Sequence, residues 1–250
     1  MNYIVYDLEF NQKHPDVIEI DGDNSSLLPF EIIQIGALKL NEKFETISSF
    51  NVLVKPIVHK TIHPYVESLT RLNKETLNLC SSFPEIYEDL IKFIGTEETI
   101  LCVWGVVDVK ELLRNIRFHN LSTSSISKNY IDIQQYASKY YNSPKGCRIG
   151  LRSTVELLNI SIDKDFHDAF NDAYYTAEVF KRLYNDSIKP KLYIPKSKKL
   201  NQNPKEKIDT ISLIKQFEKM YGREMSEEEI NIIKTAYMMG KTKQFVIPSS

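Results

Sequence analysis

The chain has 250 residues and a net charge of −1, with 42% apolar and 26% charged residues, ordinary proportions for a soluble globular protein. That length suits one sizeable domain with a small appendage, whose core needs neither disulfide nor structural metal. Cys80, Cys102 and Cys147 are scattered, the opening MNYIVYDLEF is no basic leader, and no run of about 18 apolar residues occurs, so a zinc ribbon, a signal peptide and a membrane span are excluded and a reducing, cytoplasmic setting is expected.

Residues 3–10, YIVYDLEF, are rich in β-branched and aromatic types and read as a short buried strand. Residues 31–40, EIIQIGALKL, and 50–54 supply the next two, which predicts an antiparallel meander at the start of the domain. Between the first two strands, 11–30 contains Pro15, Gly22 and Pro29. It is long for a hairpin connection and suits a binding loop or lid.

Beyond Pro56 the apolar period becomes helical. Helices are expected over 65–69, 73–79 and 83–94, the last with Phe83, Ile86, Tyr87, Leu90 and Ile94 recurring at helical spacing. Residues 99–104 read as a strand and 108–118 as a helix with Leu112, Leu113 and Ile116 inward. Residues 130–133 are a short strand or a helix start, leading into a helix through about Tyr141, and 151–158 and 168–184 are helical. The sum is an α/β domain over 1–188, a mixed sheet flanked by helices.

Residues 189–207 are basic, contain three prolines and read as a linker to a helical extension over 208–250. Its first helix, 209–221, ends at Gly222, and its second opens with a capping box from Ser226 to Glu229 and stops at Gly240. Two helices bury little alone, so 208–240 is expected to pack on the main domain, on a second copy as a homodimer, or on a protein partner. From Lys189 onward 13 basic residues stand against 7 acidic ones, whereas the remainder has 19 and 26. An acidic body with a basic tail suits a polyanion only where metal ions offset part of the carboxylate charge.

Three constellations carry chemistry. Asp7 and Glu9 are two apart in an otherwise apolar strand, so both side chains leave the same face. Burying them together is costly unless cations neutralise them, and all-oxygen ligands suit Mg²⁺ or Mn²⁺; acids of an edge strand lying in water are the plainer alternative. Asp108, in WGVVD, follows a strand and opens a helix, where open α/β sheets place ligands and where a helix cap alone would also explain it. His167 and Asp172 bracket the start of a helix; a histidine there can take a proton from water, or be a structural histidine beside a solvated acid.

In order and setting together, D-x-E at 7–9, WGVVD ending at Asp108, and H-x4-D at 167–172 resemble the DEDDh exonucleases of the ribonuclease-H-like fold. EIIQIGA at 31–37, VKP at 54–56, LTRLN at 69–73 and YIDIQ at 130–134 match as well, over about residues 2–185. The WG pair and the long first loop look most like the RNA 3′-end-trimming branch. Asp168 after His167 and the apolar Val106 and Val107 depart from the family's pattern.

The resemblance implies 3′→5′ removal of 5′-mononucleotides from single-stranded RNA or DNA. It further implies two divalent ions held by Asp7, Glu9, Asp108 and Asp172, with Asp7 bridging and His167 as the base that activates water. Phe10 and Trp104 are candidate substrate contacts, Phe10 by stacking on the terminal base or, equally, by packing in the core. Lys198 and Lys199 would track the phosphate backbone or simply be solvated. A non-catalytic nucleic-acid-binding protein on the same fold would be marked by a lost ligand, and all five positions are occupied.

Overall fold

The computed structural model describes residues 1–16, 24–195 and 209–241. It divides into two compact units, Met1–Pro195 and Lys196–Ser250. The first contains β1 (Asn2–Gln12), β2 (Phe30–Leu40), β3 (Thr46–Leu53), α1 (Pro64–Thr70), α2 (Lys74–Asn78), α3 (Phe83–Ile94), β4 (Thr99–Val103), α4 (Val107–Phe118), β5 (Asn129–Asp132), α5 (Ile133–Tyr140), α6 (Leu151–Leu157), α7 (Ala169–Leu183) and β6 (Lys191–Leu192).

The strands form one mixed sheet in the order β3-β2-β1-β4-β5-β6. The opening meander is antiparallel as expected, β4 and β5 continue it in parallel, and β6 closes it antiparallel. Alternation along β1 sorts the core into two layers. Ile4, Tyr6 and Leu8 pack with residues of α3 and α4, whereas Tyr3 and Val5 pack with residues of α5 and α7. Asp7 and Glu9 continue the parity of Tyr3 and Val5, which directs them to the α7 side.

A bulge lies beside the second of these acids. Glu9 pairs with Gln34 but Phe10 pairs with Ile32, so Ile33 is the extra residue of β2. Ile33 is turned into a third small cluster with Ile62, Val66 and Leu77 under α1 and α2. At the same end of the sheet, Asn115 of α4 accepts from the Ile32 N–H at 3.2 Å and donates to the Phe30 carbonyl at 3.0 Å. Glu31, 2% exposed, accepts from the backbone N–H groups of Ile57, Val58 and His59. Each buried polar group here has a partner, which is what makes its burial tolerable.

Two readings of the sequence need revision. Residues 191–192, taken as linker, pair with β5 as an edge strand, and α9 (Glu227–Lys241) runs through Gly240 instead of stopping there. In the second unit, α8 (Thr210–Tyr221) ends as expected on Gly222 in the left-handed conformation (φ 67°). Ser226 and Glu229 make the reciprocal bonds of a capping box. Among the described residues no helix is long and apolar enough to cross a membrane.

Candidate active site

Glu9, His167 and Asp172 each offer a ligand atom, and these atoms lie within 4.8 Å of one another. Glu9 comes from the end of β1, Asp172 from the first turn of α7, and His167 from the segment just before that helix. His167 has a left-handed backbone (φ 67°), uncommon for a residue with a Cβ. The bend turns its N–H onto Asp172 Oδ2 at 3.2 Å while the ring stays exposed. The preceding loop is anchored at Tyr175, whose buried hydroxyl accepts from the N–H groups of Asp163 and Lys164 and donates to the Lys164 carbonyl.

Asp7 and Asp108 lie within electrostatic range of this group. Burial pushes the Asp7 carboxyl well above the usual carboxylate range, and Asp108, Asp172 and Glu9 push it further. Asp108, 7% exposed, is raised well above its ordinary value by burial and then by Glu9. Glu9 is pushed up to about 8 by burial, then by Asp172 and Asp168. Asp172 rises to about 6 through burial, against the pull of the His167 N–H. The cap position of α4 is Val106, so Asp108 is not its cap residue but stands in its first turn, buried.

Close packing brings α7 to the sheet. Gly36 of β2 lies opposite Asp7, and a Cβ there would meet the Ala169 carbonyl carbon and the Phe170 nitrogen at 2.2 Å. Beside it Gln34, 3% exposed, donates to Asp168 Oδ2 at 3.0 Å and accepts from the Ala169 N–H at 3.2 Å. Asp168 in turn caps α7, accepting from the N–H groups of Phe170 and Asn171. The acidic residue that follows His167, a departure from the family's pattern, is therefore the helix cap. Gly105 makes the corresponding turn after β4 at φ 97°, a conformation that favours glycine, and it aims α4 so that Asp108 faces the group.

The remaining candidates are more dispersed. Phe10 is partly buried against the α3–α4 layer, with its ring 6.1 Å from that of Phe30. Trp104 is partly buried against the opposite layer, and its indole N–H has no hydrogen-bond partner among the described residues. Lys198 and Lys199 lie outside the described residues. The sequence reading missed Gly36, Gln34 and Gly105 as positioning residues, although the IQIGA and WG strings containing them were conspicuous.

The site fits hard divalent cations. Its donors are carboxylate oxygens, the main charges acting on them are other carboxylates, and the buried Asp172 Oδ1 has no hydrogen-bond partner among the described residues. Such an oxygen is costly to bury unless something positive meets it. The raised values fix the sign of a pH effect: Glu9 and Asp172 favour folding most below their unfolded values of about 4, and that contribution is lost as pH rises through about 6 for Asp172 and about 8 for Glu9. A divalent ion that binds the ionised set restores it. Mn²⁺ at a hundred times its Kd should stabilise by about 2.7 kcal/mol, raising Tm by roughly 5–10 °C at pH 8.5, with a clearly smaller gain at pH 5.5. Equal gains at both pH values would show that these acids do not hold the ion.

Comparison with known proteins identifies the family and the fold. Residues 4–180 match the exonuclease family typified by ribonuclease T. The chain belongs to that family. ERI1 exoribonuclease 3 of human and cattle is 24% identical over 176 residues, which cover 66% of this chain and 51% of the relative. The chain thus matches about half the length of these curated relatives. Among solved structures, the nuclease domain of 3′hExo, a DEDDh family member bound to rAMP, superposes with a TM-score of 0.63 at 20% identity, covering 77% of this chain and 96% of that one. Exonuclease I of E. coli in complex with a dT13 oligonucleotide gives 0.57 at 17% identity, covering 72% and 40%. The fold is that of the ribonuclease-H-like exonucleases.

Proposed function

We propose that this protein is a divalent-metal-dependent 3′→5′ exonuclease that releases 5′-mononucleotides from single-stranded RNA or DNA. The observation that carries the reading is the gathering of Glu9, His167 and Asp172 within 4.8 Å, with Glu9 and Asp172 close enough to Asp7 and Asp108 to raise both of those carboxyls. Two ions, Mg²⁺ or Mn²⁺, held by Asp7, Glu9, Asp108 and Asp172 would supply the positive charge that the phosphate and the departing oxygen require.

The residues of the chain do the rest. The exposed ring of His167 takes the proton of the attacking water, while the bond from its N–H to Asp172 keeps the ring at the mouth of the acidic group. The water oxygen attacks the terminal phosphorus, the bond to the 3′-oxygen of the preceding nucleotide breaks, and that oxygen leaves with a proton as a free 3′-OH. Phe10 packs with Phe30 on the α3–α4 side of the sheet, away from the acids, which favours its core-packing role over base stacking. In the second unit, the exposed Ile211, Met220, Tyr221 and Ile232 suit a contact with a second copy or a protein partner.

The test uses RNA and DNA oligomers labelled at either end, with Mg²⁺ or Mn²⁺. A 3′ label should appear at once as mononucleotide, and a 5′ label should shorten one residue at a time. Internal fragments, or undiminished activity in excess EDTA, would overturn the proposal.

A further inference from the structure

Beyond the acids, His167 and Asp172 face a cleft of 530 Å³ bordered by Leu69 and Arg71 at the end of α1 and by Leu151 and Arg152 at the start of α6. Among its described lining residues Arg71 and Arg152 alone carry a permanent positive charge. We propose that these two arginines form a phosphate-binding wall for the nucleic acid acted on at the adjoining acids. The ligand is a phosphate oxyanion, either a phosphodiester of the strand or the 5′-phosphate of the released mononucleotide. The inference rests on the nuclease reading for its ligand.

Three observations support it. Arg71 terminates α1 in the left-handed conformation (φ 61°), its N–H bonded to the Glu67 carbonyl. Glycine fills that capping position with least strain, so an arginine there indicates a use for its side chain. Secondly, both guanidinium groups are held lightly. Arg71 meets Asp165 at 3.1 Å with the two side chains 78% and 75% exposed, and Arg152 reaches Glu156 only at 4.0 Å. Exposed pairs of this kind are weak enough to exchange for a better anion, and the guanidinium fork binds phosphate through two parallel bonds. Thirdly, Arg152 is aimed. Its guanidinium lies over the Phe166 ring at 5.1 Å, and that ring is itself stacked on Tyr175 at 4.7 Å. Phe166 adjoins His167, so a phosphate on this wall is within one residue of the proposed base.

Arg71→Gly, which suits the backbone, and Arg152→Ala, which suits a helix, are the variants of choice. With Mg²⁺ and a single-stranded oligomer, each should raise KM about tenfold with kcat little changed, and lower the slope of log KM against log salt by about 0.7. Arg152→Lys should recover part of the loss. A higher inhibition constant for 5′-AMP with unchanged oligomer KM would assign the wall to the released nucleotide. The opposite pattern would assign it to the strand. Unchanged KM, salt slope and 5′-AMP inhibition would overturn the proposal, as would a fall in kcat alone, which would make Arg71 merely a tether of the His167 loop. Oligomer binding in EDTA separates the two readings: if the parent cleaves nothing while binding still weakens in the arginine variants, the exonuclease reading fails and the wall stands.

Discussion

Asp7→Asn is expected to lose at least about a thousandfold in kcat and yet to melt at a higher temperature than the parent when divalent ions are removed. Removing a charge that helps hold the ions forfeits several kcal/mol of transition-state stabilisation, and each 1.36 kcal/mol is about a factor of ten in rate. The stability gain has the opposite sign because Asp7 is held well above its ordinary range by burial and by four neighbouring acids. Asparagine presents the neutral form at every pH, so the gain should be largest at alkaline pH and vanish toward about pH 4, where the parent's carboxyl is protonated as well. Each kcal/mol of relief corresponds to about 2–4 °C. Steady-state kinetics with Mn²⁺ and melting in EDTA across pH check both halves. A variant that is inactive and also less stable at pH 8.5 without metal would show that Asp7 is a structural residue.

Gly36→Ala is expected to cost about 3 kcal/mol of stability and about a hundredfold in kcat/KM. Its added methyl would stand 2.2 Å from backbone atoms of Ala169 and Phe170, and backbone cannot rotate aside as a flexible side chain can. The helix must retreat by about an ångström, carrying Asp172 away from Glu9, and a misplacement of that size costs roughly two orders of magnitude in rate. Gly240→Ala, where nothing lies within 4 Å, is the control, expected to gain a few tenths of a kcal/mol or more from helix propensity. Far-ultraviolet circular dichroism, thermal melting and single-turnover kinetics check the prediction. Near-parent activity in Gly36→Ala would mean that α7 is not positioned through this contact.

How much of this was legible in the sequence depended on whether a feature is local. The acids of β1 were visible because strand alternation is a two-residue property, and the inward residues of α3 and α4 because helical spacing is a property of one turn. β3 begins at Thr46, four residues before the expected strand, since its first half is the exposed part of an edge, where Ile47 alone is apolar. β6 has two residues and exists only because β5 offers it a partner. The IIQI run hid a bulge: buried isoleucines on both sides of it read as one continuous strand, and only the pairing of Phe10 with Ile32 reveals the slip. Asp168 is the clearest case at the site. The fold gives it two helix N–H groups two and three residues on, a local cap, and Gln34, 134 residues away in the chain, a contact that no local pattern could announce.

The bend at His167 divides labour within the site. The four acids are borne by regular secondary structure, while the imidazole rides on an irregular stretch pinned at Tyr175 and, more loosely, at Arg71. Replacements in 159–166 therefore reach the imidazole first, and the carboxylates only through the one bond from the His167 N–H to Asp172, which makes that short stretch a handle on proton transfer more than on the acids' own placement.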